Sequence, residues 1–365
     1  MSDNKRKVLV LGGTGAMGTD LTKILADKRF SVTVTSRGDH RSNRDNVTYV
    51  KGNAKDNDFL REVIKTRWDC VIDFMSYSTA EFEGRVDSLL SATDQYIFIS
   101  SARVYAESLK PLTEDSPRLL DVCDDKEYLA TDEYALAKAR QENMLAQRAM
   151  LGNYTIVRPS LTYNSDRLQF AISEKEEWLY RALHGRSIIF PSDMVDVRTT
   201  MAYGYDVANA IFGLVFNQKA LGQTVHITGA ESKTWQEILV IYQKTLEKRM
   251  NCKIKVLNVD DSDKIAAMLD RTYQIKYSRR VNRSFDCKKL VEISGALVFT
   301  PVDEGLRVCV NAFLDGAQNF AVISGRTHAY FDLLAGESTA LNEFMSKKEK
   351  LKYMIARHTP YFRFS

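Results

Sequence analysis

Apolar residues in the first half of the chain fall into short blocks separated by helical stretches. Residues 7–11, 31–35, 48–50, 70–74, 96–100 and 155–158 are rich in Val, Ile, Phe and Tyr and too short for helices, so each predicts a strand. Helices are predicted between them, at 21–25, 57–65, 79–90 and 131–150. This alternation predicts βαβ units: an α/β fold with a Rossmann-type, doubly wound parallel sheet covered on both faces. Beyond Arg158 the pattern changes. Helices are expected at 168–184, 205–216, 234–248 (Thr234 as N-cap), 301–315 and 337–357, with strands at 187–190, 223–228 and 253–257. No tether-like linker separates the halves. The expected division is therefore a dinucleotide-binding domain at 1–165 and a smaller, interleaved α/β substrate domain at 166–315. Segments near 200–230 return to the first domain, and 316–365 form a C-terminal helical extension.

The first strand runs directly into Gly12-Gly13-Thr14-Gly15-Ala16-Met17-Gly18. Gly12 permits a sharp turn, Gly15 clears the backbone for a phosphate, and Gly18 lets the next helix pack close to the sheet. The helix N-terminus then offers N–H groups and a positive dipole end to a pyrophosphate. A second signal is Tyr134-Ala-Leu-Ala-Lys138. Residues four apart share a helix face, so phenol and ammonium can meet in one pocket. A neighbouring cation favours the phenolate and makes the tyrosine a usable acid/base. The strand before it ends in Ser100-Ser101, at the end of a parallel sheet where such folds bind ligands. Ser101 is positioned to hydrogen-bond a substrate oxygen.

Composition narrows the function classes. The 365 residues are 44% hydrophobic and 27% charged, ordinary for a globular protein, and the net charge of +4 gives no argument for nucleic acid or an anionic membrane. Apolar runs are too short to cross a bilayer, and the N-terminus lacks a signal-peptide pattern, so a cytoplasmic protein is expected. Five scattered cysteines and five scattered histidines form no metal-ligand spacing, so no metal is expected.

Together the glycine turn, the Ser101 strand end and the Tyr134/Lys138 pair resemble the extended short-chain dehydrogenase/reductase family of nucleotide-sugar epimerases, dehydratases and reductases. The resemblance spans roughly residues 5–315. It extends to Arg158-Pro159-Ser160-Leu161-Thr162-Tyr163, Asp206-Val207-Ala208 and Phe299-Thr300-Pro301. It implies Tyr134 as acid/base, Lys138 on the nicotinamide ribose and Ser101 on the reacting oxygen. It places Gly12, Thr14, Gly15, Ala16, Met17 and Gly18 around the dinucleotide, with Phe74 and Met75 on the turn after the fourth strand. Ser76 and Arg198 are substrate-side candidates, and a homodimer acting on a nucleotide-diphosphate sugar is the expected assembly.

Departures from the family pattern refine the reading. Dehydratases carry an Asp-Glu pair after the serine or threonine; Ala102 and Arg103 stand there and cannot perform that acid–base work. The second strand ends in Ser36-Arg37-Gly38 where NAD enzymes carry an acidic residue, so NADP(H) is favoured over NAD(H). Asn53-Ala54 replaces the adenine-side acidic motif. These changes point to an atypical, epimerase-like branch. The expected activity is an NAD(P)-dependent nucleotide-sugar epimerase. The alternatives are an NADPH-dependent 4-keto-sugar reductase and, in a different class, a non-catalytic dinucleotide-binding regulator or RNA-associated protein.

Overall fold

The structure is a computed structural model, and it describes residues 5–260 and 262–359. Seven strands form the main sheet: β1 (Lys7–Leu11), β2 (Ser31–Ser36), β3 (Val47–Lys51), β4 (Cys70–Asp73), β5 (Tyr96–Ile99), β6 (Tyr154–Pro159) and β7 (Gln223–Ile227). Their order is β7-β6-β5-β4-β1-β2-β3, and every neighbouring pair is parallel. The order reverses between β4 and β1, the point where doubly wound sheets bind ligands. β4 and β5 are buried at every position, as expected of strands covered on both faces. On one face the core gathers Val8, Val10, Ile72 and Ile97 with α1 (Gly18–Asp27) and α4 (Gly204–Leu214); on the other, Leu9, Leu11, Val71 and Phe98 meet Phe82, Leu89 and Leu145. Helices α2 (Asn57–Ile64) and α3 (Tyr134–Ala146) belong to the same sheet-bearing part of the chain.

The described residues divide into two compact units: 5–162, 200–230 and 284–300 in the first, and 163–199, 231–260, 262–283 and 301–359 in the second. Residues 284–300 thus belong to the sheet-bearing unit, and the described part of 316–365 to the second. Within that second unit Ile188–Pro191 pairs in parallel with Val256–Val259. Trp235–Met250 begins at Thr234, which caps Glu237 N–H in a reciprocal capping box.

Three predicted helices are corrected. Residues 79–90 break into Thr79–Glu83 and Val86–Ser91 around Gly84-Arg85. Of 168–184 only Leu179–Leu183 is α-helical. Phe170 and Ser173 exchange backbone hydrogen bonds across a tight turn containing Ala171 at φ 46°, which a helix cannot contain. In place of the helix expected at 337–357 the structure has Gly325–Ala335, which was not foreseen, and Lys347–His358, with 337–346 as the connection between them. Gly336, at φ 65°, stops the first. Glu337 and Glu343 in the connection are drawn to Arg181 and Arg186, which anchor the loop.

Candidate active site

The strand ends at the reversal point gather most of the residues singled out by sequence. Gly12 leaves β1 at φ 68°, and a Cβ there would lie 2.7 Å from the Met75 sulfur. Its N–H donates to Thr35 Oγ1 at 3.1 Å, tying the ends of β1 and β2. Gly18 is a packing glycine: a Cβ would lie 2.6 Å from the Gly13 carbonyl carbon. Gly15 is different. It is exposed beside Thr14, and a Cβ there would meet nothing within 4 Å. Met17 opens α1 without a side-chain cap, and Ala16 precedes it half-buried. An open backbone cradle at an uncapped helix N-terminus fits an anionic phosphate group.

Ser36 is buried, and its Oγ accepts the Gly38 N–H at 3.2 Å, so its hydroxyl shapes the turn after β2. Arg37 projects from that turn, exposed, with no ion pair among the described residues. Asn53 is exposed, with Oδ1 accepting the Lys55 N–H at 3.1 Å; Ala54 is buried, and its carbonyl accepts from Arg85 at 3.2 Å. After β4, Phe74 and Met75 are half-buried and Ser76 is exposed. Sequence reasoning missed Asp73, a carboxylate in the otherwise apolar β4. It accepts the Met75 N–H at 2.9 Å and the Tyr96 hydroxyl at 2.8 Å. Burial raises its carboxyl above the usual range, against the pull of those bonds and the Lys138 charge.

Tyr134 is the first residue of α3 and is half-exposed. One turn on, Lys138 is 1% exposed; its Nζ donates to the carbonyls of Ile99 at 2.8 Å and Met75 at 3.0 Å, leaving one ammonium hydrogen for a further acceptor. The nitrogen lies 6.0 Å from the Tyr134 ring centre and 4.3 Å from that of Phe98. Burial brings its pKa down to about 8, resisted by the charges of Asp73 and Glu142. Ser101, half-buried at the end of β5, accepts the Arg103 N–H on Oγ at 3.2 Å. The Arg103 guanidinium lies 5.0 Å from the Tyr134 ring centre and pairs with Glu133. Glu133 also caps α3 through the Ala135 N–H at 2.8 Å. The Arg103–Glu133 pair was not foreseen, since its members stand thirty positions apart. A turn beyond Lys138, Glu142 takes the Ser100 hydroxyl at 2.6 Å and two bonds from Arg158 at 2.9 and 2.7 Å.

Arg198 belongs to the second unit. It sits on the exposed strand pair Arg198–Thr199 and Lys233–Thr234, its guanidinium donating to the Ser232 carbonyl at 3.2 Å. Among the described residues no cluster of His, Cys, Asp or Glu could hold a metal ion, and no helix is long and apolar enough to cross a membrane.

The parallel sheet, its reversal point and the glycine turn define a Rossmann-type α/β protein with a dinucleotide cradle. More particularly, the chain belongs to the NAD dependent epimerase/dehydratase family, whose model matches residues 8–227. It is 25% identical over 250 residues to the chloroplast stem-loop binding protein of 41 kDa b from Arabidopsis thaliana, covering 64% of this chain and 61% of that protein. The chain thus spans about three-fifths of that relative. Its fold resembles UDP-glucuronic acid 4-epimerase from Bacillus cereus, solved with UDP-glucuronic acid and NAD, at TM-score 0.62 and 16% identity, covering 85% of this chain and 99% of that one. It also resembles UDP-glucose 4-epimerase from Thermotoga maritima, solved with UDP-glucose, at TM-score 0.65 and 17% identity over 85% and 99% of the two chains.

Proposed function

We propose that the protein is an NAD(P)-dependent nucleotide-sugar epimerase. The observation that carries this reading is the half-exposed Tyr134 phenol on the same helix face as the buried Lys138 ammonium, with Ser101 at the end of β5. When bound, the nicotinamide would take hydride from a sugar carbon and return it to the opposite face. Gly12, Gly15 and Gly18 would hold the pyrophosphate, with the open space at Gly15 supporting that fit. The remaining ammonium hydrogen of Lys138 would reach a ribose hydroxyl. Tyr134 would take and return the proton of the sugar hydroxyl. Ser101 already accepts from Arg103, so its own hydroxyl proton is available to steady the sugar oxygen. Arg37, exposed just after β2 and without an ion pair among the described residues, favours a 2′-phosphate and hence NADP(H). The substrate would be a UDP-sugar or a close relative, as in the two solved epimerases. The protein would act as a cytoplasmic homodimer.

The test is conversion of a panel of UDP- and dTDP-sugars by the purified protein, followed by anion-exchange chromatography of the epimers, with the nucleotide released on denaturation read by mass spectrometry. Epimer formation with retained dinucleotide supports the reading. Net consumption of NADPH with a 4-keto sugar would instead make it a reductase. A second reading, RNA stem-loop binding, is favoured by the name of the Arabidopsis relative. It predicts a salt-dependent gel shift of a structured RNA and no turnover of any sugar.

A further inference from the structure

Arg103 stands where dehydratases of this family carry acid–base carboxylates, yet it is placed against both partners of the candidate chemistry. Its backbone N–H bonds Ser101 Oγ at 3.2 Å, and its guanidinium lies 5.0 Å from the centre of the Tyr134 ring. Glu133, the cap of α3, holds that guanidinium in place. The pair is mostly shielded, with Arg103 at 22% and Glu133 at 17% side-chain exposure, so its charges are less screened than on an open surface.

Resting on the epimerase reading, we propose that Arg103 is a positioning residue that supplies a permanent second cation to the Tyr134 phenolate. A cation within about 6 Å of an aromatic ring is attracted to it, and the attraction grows as the ring gains negative charge. Arg103 and Lys138 both meet this condition at Tyr134. They differ in kind. Lys138 is an amine whose burial lets it lose its proton in the mildly alkaline range; a guanidinium keeps its charge throughout. Arg103 therefore sustains the phenolate where Lys138 no longer does. Arg103 from the segment after β5, and Glu133 and Lys138 from the start of α3, are charged groups that bear on Tyr134. Asp73, Glu142 and Lys55 act on Lys138 by charge. Glu133 opposes Arg103, but its carboxylate is shared with the Ala135 N–H and the Tyr128 hydroxyl.

The experiment is ultraviolet difference titration of tyrosinate formation in the full chain, each protein measured against the same protein carrying Tyr134→Phe. That subtraction removes the other tyrosines. Arg103→Met should move the Tyr134 phenolate to higher pH by about one unit, the scale of one charge at this distance. Arg103→Lys should restore most of that shift, because it keeps the charge. Circular dichroism checks the fold, and either variant that folds decides the matter. Equal titration of wild type and Arg103→Met overturns the proposal, as does an Arg103→Lys titration indistinguishable from Arg103→Met. The titration needs no substrate, so it separates the two readings. A shifted phenolate with no turnover of any nucleotide sugar supports this assignment while overturning the epimerase; turnover with an unmoved phenolate does the reverse.

Discussion

Lys138 should make stability and activity move in opposite directions as pH rises. Its ammonium is buried, and its pKa is about 8 in the fold against an ordinary 10.5. Below pH 8 folded and unfolded chains both hold the proton, and the folded state bears the full cost of a desolvated charge. Between about 8 and 10.5 the unfolded chain still binds the proton that the folded chain has released, so stability climbs with pH across that window. The whole rise from this group is about 3 kcal/mol. Lys138→Met removes it. The variant also orphans the Ile99 and Met75 carbonyls, at a cost of about 1–3 kcal/mol each. Gain and loss offset at neutral pH, so the slope is diagnostic and the level is not. Urea unfolding of both proteins from pH 7 to 10.5 should give a wild-type curve that gains on the variant by about 3 kcal/mol. Parallel curves would refute the burial argument. In the same window the epimerase reading expects wild-type kcat/KM to decline as the ammonium that holds the ribose loses its charge.

Tyr134→Phe should lower turnover by about 10²–10⁴-fold with cofactor affinity nearly intact, because it removes the proton carrier and keeps the ring; unchanged kcat sinks the assignment. Gly15→Val should leave the melting temperature within about 2 °C, since its Cβ points into open space, yet weaken dinucleotide binding at least about tenfold by fluorescence titration. Gly18→Ala should instead destabilise by about 1–3 kcal/mol, because its Cβ meets the Gly13 backbone, which cannot step aside. Arg37→Ala should cost NADP(H) about 1–3 kcal/mol and spare NAD(H), as read by calorimetry; equal losses would return the preference to NAD.

What sequence reveals here follows the range of the interactions. The six strands read before Arg158 and the Thr234 cap are local patterns of period, turn and cap, and the chain shows them within one or two residues of their ends. The region 168–184 failed because its apolar content suits a helix while a turn at Phe170–Ser173 and the Trp178 indole bond to the Leu168 carbonyl decide otherwise. The late start of the last helix, at Lys347 and not at Glu337, depends on arginines about 150 positions earlier that hold Glu337 and Glu343 in the connection before it. At the site the same rule holds. The Tyr134/Lys138 spacing is a local signal. The Asp73 contacts, the Arg103–Glu133 pair and the Arg158–Glu142 bonds are made between strands, strand ends and α3, which meet only in the folded unit.

That difference bears on why an atypical set of residues can still form a site. Tyr134, Lys138 and Glu142 lie four apart on one face of α3, and each does a different job. Tyr134 presents a phenol, Lys138 a charge, and Glu142 anchors the helix to β5 through Ser100 and to β6 through Arg158. The anchor grips the residue directly before Ser101. Loss of the Glu142 carboxylate would leave Arg158, at 5% exposure, without its carboxylate partner and with only the Glu114 carbonyl and the Tyr105 ring beside it, a change of about 3–5 kcal/mol for a buried pair broken on one side. The same loss would free both ends of the arrangement, the Ser101 strand end and the Tyr134 helix, to shift independently. A family member can therefore exchange the residues after Ser101, as Ala102 and Arg103 do here, and alter the chemistry it supports. The buried stripe that sets the distance between serine and tyrosine stays fixed by packing.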